Sequence, residues 1–89
     1  MIELGGSINL ENFEEIDKGL LIVIKKVAGN YTKQITEKFK DFKKITISLV
    51  PKTKYKVKVT LETSETKESE AENINLFFAL DQALNKVLK

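Results

Sequence analysis

The chain has 89 residues, 42% of them hydrophobic and 31% charged, which suits one domain over residues 1–89 with one core and leaves no room for a second. It contains neither cysteine nor histidine. Disulfide frameworks, thiolate or imidazole metal sites and the common nucleophile–base pairs are therefore excluded, and neither an enzyme nor a cofactor is expected.

The first ten residues, "MIELGGSINL", alternate apolar and polar positions around Gly5-Gly6 and predict a strand broken by a bulge or turn. The two glycines lack the Lys-Ser/Thr that completes a phosphate loop. Glu11, Glu14, Glu15 and Asp17 match no calcium-loop spacing and are read as acids gathered at a helix start. Beyond them Ile16, Leu20, Ile24, Val27, Tyr31, Ile35, Phe39 and Phe42 recur every three or four residues. That spacing predicts an amphipathic helix of about 25 residues, starting nearer Lys18 and with a bend allowed at Gly29. Leu21, Ile22 and Val23 widen its apolar surface beyond one stripe, and such surface needs a cover. The longest apolar run, Leu20 to Ile24, falls far short of the roughly 20 residues of a bilayer span. Glu3 stands where a secretion signal would carry a basic flank, so the expected location is the cytoplasm, with no membrane partner.

"KITISLV" sets Ile45, Ile47 and Leu49 against Thr46 and Ser48 and is stopped by Pro51, which cannot donate to a ladder. "TKYKVKVTLET" repeats the alternation. The pair predicts a hairpin with Tyr55, Val57 and Val59 toward the helices and Lys54, Lys56 and Lys58 toward water. "SETKESEAEN" alternates as well and is read as a fourth strand; a turn over residues 63–66 sets Glu68, Glu70 and Glu72 beside Lys58, Lys56 and Lys54. "NLFFALDQALNKVLK" places Phe77, Leu80, Leu84 and Val87 on one helical stripe, with Asn75 or Asn73 supplying the N-cap oxygen. The order β-α-β-β-β-α defines an α+β fold, a two-layer domain in which a four-stranded, antiparallel-rich sheet carries both helices on one face and opens the other to water.

The net charge of +2 is unevenly spread: residues 1–32 hold three lysines against five acids, residues 33–58 nine against two, and residues 59–89 three against six. The basic middle third points to a polyanionic partner. All basic residues are lysine, so such contacts are point-charge contacts with little sequence discrimination. The candidate surface is Lys40, Lys43 and Lys44 after the first helix with Lys52 and Lys54 near the hairpin tip. Against it stand two structural readings. Lysines closing a helix complement its dipole, and Lys56 and Lys58 are answered by the glutamates of the next strand.

The segments "SEAENINLFFALDQALNKVLK" and "FKDFKKITISLV" together resemble the ribosome hibernation-promoting and ribosome-associated inhibitor family, whose β-α-β-β-β-α domain is akin to double-stranded RNA-binding domains. The likeness rests on Ala71-Glu72, Asn75, Phe77, Ala79-Leu80-Asp81 and Asn85-Lys86-Val87, and on the basic, Phe-rich stretch Phe39 to Lys44 before a strand. It covers residues 33–89. The first third departs from the pattern, lacking the family's threonine cap and its arginine. The resemblance implies a partner in ribosomal RNA or the small ribosomal subunit, inhibition of translation by occupancy, and contacts from Lys40, Lys43, Lys44 and Lys86, with Lys89 as a neighbour. The alternative reading is a protein-interaction or homodimerising domain that uses a sheet edge or the apolar surplus of the first helix.

Overall fold

The computed structural model of the chain describes residues 2–4, 7–14, 16–51 and 54–88. Its elements are β1 (Ile2–Leu4), β2 (Ile8–Glu11), α1 (Lys18–Lys38), β3 (Lys44–Pro51), β4 (Tyr55–Glu62), β5 (Thr66–Asn73) and α2 (Leu76–Leu88). One sheet holds the strands in chain order, β1-β2-β3-β4-β5. Only the β2–β3 pair is parallel, because α1 carries the chain back across the sheet between them; the other pairs are antiparallel. The expected four strands are thus β2 to β5. The break expected at Gly5-Gly6, which lie outside the described residues, separates β2 from the added three-residue edge strand β1.

The core lies between this sheet and the helices. Ile45, Ile47 and Leu49 of β3 and Val57, Val59 and Leu61 of β4 are buried on the helix side, as the alternation requires. Tyr55 shares their phase but lies at the start of β4 and is 38% exposed, so the expectation that it faces the core fails at the end of the sheet. The α2 stripe buries Leu80, Leu84 and Val87 together with Leu76, Ala79 and Ala83, while Phe77 is half-buried. The small Ala83 lets α2 approach β5 closely enough for Ser69 Oγ to donate to its carbonyl at 2.6 Å. Asn75 is the residue that caps this helix, and Asn73 makes the turn before it. Asn75 Oδ1 accepts from the N–H groups of Phe77 and Phe78 at 2.9 and 3.3 Å, and Asn73 Oδ1 accepts from that of Asn75.

Helix α1 is 21 residues long and its buried stripe is Ile24, Ala28, Thr32 and Ile35. The expected stripe holds except at one position: Ile24 and Ile35 are buried and Ile16, Val27 and Tyr31 pack against the core, but Leu20 is exposed and Leu21 packs inward instead. Buried Thr32 satisfies its hydroxyl on the Ala28 carbonyl at 2.7 Å. Phe39 and Phe42 follow the helix instead of continuing it, and pack on the core from the loop. Ahead of α1, Asn12 adopts a left-handed backbone (φ 66°), a conformation asparagine tolerates better than most residues, and the next side chain, Phe13, is fully buried.

Candidate nucleic-acid interface

The phase of α1 decides which lysines face water. With Ile24, Ala28, Thr32 and Ile35 against the sheet, Lys25, Lys26 and Lys33 are exposed on the outer side, and no acid occurs between Lys18 and Thr36. Gly29 lies among them, and a Cβ built there would meet nothing within 4 Å. The surface between these lysines is therefore low and unobstructed.

The two helices run parallel, tied by two side-chain contacts. The Tyr31 hydroxyl donates to Asp81 Oδ1, and Lys38 Nζ donates to the Leu88 carbonyl. Burial first, and then the neighbouring Asp81 carboxylate, push the Tyr31 hydroxyl up to about 12. Both helix C-termini, each the negative end of a dipole, consequently meet at one end of the molecule with Lys38 and Lys86 in their last turns. Between those turns lies an open groove of about 450 Å³ lined by Gln34, Glu37, Lys38 and Leu88.

The expected patch is divided by the strand direction. Lys40 and Lys43 lie in the loop after α1, at this C-terminal end, and are exposed. Asp41 between them accepts the Ser64 N–H at 2.8 Å. Ser64, through its hydroxyl and its N–H, holds the Asp41 carboxyl below its ordinary value, and the contact docks the loop on the β4–β5 turn. Lys67 extends the same end and stands 4.4 Å over the Phe39 ring. Lys44 points to the opposite, open face of the sheet, where the Asn9 amide, oriented to its surroundings, presents its oxygen to Lys44 Nζ at 3.1 Å. Lys54 is exposed at the far end of β3 and β4, about 23 Å from Lys44 at the rise of an extended strand. Lys86 lies on α2 and reaches the edge of the sheet, donating to the Glu70 carbonyl at 2.9 Å. Lys52 and Lys89 lie outside the described residues. The structure thus gathers Lys40 and Lys43 at one end with Lys38, turns the Lys86 ammonium onto the β5 edge, and separates Lys44 and Lys54 from them.

Lys25, Lys26 and Lys33 were not singled out from the sequence, although a signal was present. All five acids of residues 1–32 precede Lys18, and all three lysines follow them. A sum over residues 1–32 cancels Lys18, Lys25 and Lys26 against the leader and assigns Lys33 to the next block, whereas a sum by element exposes the helix.

The open face of the sheet is built differently. Lys56 Nζ lies 3.5 Å from Glu70 Oε2 and Lys58 Nζ 4.0 Å from Glu68 Oε1. These are the expected partners, reached diagonally. Directly opposite Lys58 and Lys56 are Glu70 and Glu72, because β4 and β5 close at Glu62 and Thr66 over a three-residue turn. A shift of two residues keeps every side chain on its face. Across the face Lys44, Lys56 and Lys58 stand among Glu11, Glu62, Glu68, Glu70 and Glu72.

A third surface lies at the N-terminal ends of the helices. Leu20, Ile22 and Val23 of α1 are exposed there, as are Ile74 at 76% and Phe78 at 61%. Among the described residues no cluster of acids could hold a metal ion, and no helix is long and apolar enough to cross a membrane.

The sequence matches no family model and no curated protein. The fold matches solved structures over most of its length. It is similar to the N-terminal domain of Protein Y from Thermus thermophilus, with TM-score 0.68 and 13% identity over 91% of this chain and 88% of that one. It is likewise similar to a ribosomal subunit interface protein from Coxiella burnetii, with TM-score 0.63 and 16% identity over 92% of this chain and 89% of that one. The fold that the sequence resemblance implies is therefore the one observed.

Proposed function

We propose that this chain is a non-catalytic, ribosome-associated module that binds ribosomal RNA through the lysines of its helix layer and acts by occupying a site on the small subunit, as a hibernation-type factor does. The observation that carries this reading is the contrast in charge between the two faces: Lys25, Lys26 and Lys33 stand on a stretch of α1 that carries no acid before Glu37, while the lysines of the open sheet face stand among glutamates. The likeness to a protein described as a ribosomal subunit interface protein supports it. Lys25 to Lys38 spans about 20 Å along the helix axis, enough to meet several phosphates of one strand. Lys40 and Lys43 extend the row around the C-terminus of α1. Lysine ammonium groups position a backbone without reading bases, so affinity depends on salt and shape more than on sequence.

The test is sedimentation of a cell lysate at several salt concentrations with detection of this protein. Co-migration with the small subunit at low salt, lost when Lys25, Lys26 and Lys33 are changed to glutamate, is the expected result; a free pool at every salt contradicts it. A second reading, self-association, is favoured by the exposed Ile74, Phe78 and Ile22. It predicts a stable oligomer of the purified chain without RNA.

A further inference from the structure

β5 is an eight-residue strand at one edge of the sheet. The Glu70 carbonyl points away from β4, since Lys86 Nζ donates to it from the outer side. In an antiparallel strand one residue's N–H and C=O point the same way and the direction alternates along the chain. The outer edge is therefore formed by the backbone groups of Glu68, Glu70 and Glu72, and their side chains stand on the open face. Glu68 and Glu70 make only long, diagonal contacts to β4, at 4.0 and 3.5 Å, and Glu72 has no ionic partner among the described residues.

We propose that this edge accepts an extended basic segment of another protein as a sixth strand, with alternate lysines or arginines over Glu68, Glu70 and Glu72 and main-chain hydrogen bonds to the same three residues. β4 already shows the pairing on the inner side, where Lys56 and Lys58 lie opposite Glu72 and Glu70. A second copy of this chain is the wrong occupant, because pairing β5 with β5 sets glutamate against glutamate. Lys86 is a removable plug: its ammonium holds the place that a donor N–H of the incoming strand takes, and it swings out from an exposed position. The edge is independent of the RNA reading, since it lies away from the outer face of α1.

The experiment uses the 15N-labelled chain and two capped seven-residue peptides of one composition, in which four lysines either alternate with threonines or are grouped together. The alternating peptide is expected to shift the amides of Glu68, Glu70 and Glu72, to slow their hydrogen exchange, and to bind about tenfold tighter than the grouped one, as expected for three cross-strand charge pairs in register. Glu70→Gln with Glu72→Gln, checked for folding by circular dichroism, is expected to remove that preference, and Lys86→Ala to preserve or strengthen binding. Equal binding of the two peptides would reduce the edge to unspecific charge attraction and overturn the proposal. Shifts confined to other elements, or a β5 edge already protected in a dimer seen by sedimentation equilibrium, would overturn it as well.

Discussion

Lys26 and Lys58 carry the same charge in the same small protein, yet they belong to differently built surfaces. Lys58 stands in a ladder where the neighbouring strand supplies Glu68 and Glu70, and its charge is answered within the fold. Lys26 stands on a helix whose residues from Lys18 to Thr36 include no acid. A count of lysines along the chain does not separate the two. The separation comes from what the fold places beside each one, and it makes the helix layer the face with charge to spare.

The sharpest way to break this comparison is charge reversal on each face. If about four phosphates are neutralised, log K should fall against log salt with a slope near −3.6, and Lys25→Glu, Lys26→Glu and Lys33→Glu together should flatten it by about 2.7, at roughly 0.9 per contact. Reversing Lys56 and Lys58 should leave the slope unchanged. Binding of a structured ribosomal RNA fragment at several salt concentrations reads both.

The next effect concerns the core that the two faces share. Val57→Ala should cost about 2 kcal/mol of unfolding free energy, while Lys56→Ala, one residue away on the open face, should lie within about 0.5 kcal/mol of neutral. Urea titrations of the two variants check the register, and equal losses would contradict it. A smaller change of opposite sign is expected at Gly29. Its Cβ space is open, so Gly29→Ala should stabilise the chain by about 0.5–1 kcal/mol through helix propensity, while weakening RNA binding if a backbone passes over that low surface.

The last effect is confined to high pH. Tyr31 must be neutral to donate to Asp81, and its raised value means that this contribution is fully present below 10.0 and is lost as pH rises through about 12. Phenolate absorbance should therefore show Tyr31 titrating late. Asp81→Asn should lower that step while leaving it above 10.0, because burial is the larger cause.

Much of the fold was legible because it is written locally. The alternation in β3 and β4 and the Asn75 cap of α2 depend on neighbours a few residues apart. The first turn of the α1 stripe was not, because Leu20 to Ile24 are apolar without interruption, and Leu21 packs inward in place of Leu20. Ala28 and Thr32, unremarkable as apolar signals, complete the buried stripe with Ile24 and Ile35. The ionic partners of Lys56 and Lys58 were legible, but the residues directly opposite them lie two positions further along β5 than expected, because the closing turn sets the register. The candidate site was legible in kind but not in place. Lys40 and Lys43 fall at one end and Lys86 turns to the β5 edge, while Lys44 and Lys54 are separated by the length of β3, a distance that sequence spacing does not reveal.

The account's central claim is that the helix layer, and not the open sheet face, meets RNA. Chemical-shift mapping of the 15N-labelled chain with a structured small-subunit ribosomal RNA fragment at low salt tests it most directly. Shifts concentrated at Lys25, Lys26, Lys33, Lys38, Lys40 and Lys43, fading as salt is raised, are predicted. Shifts concentrated on Lys56, Lys58 and the β5 glutamates, or none on α1, would contradict it.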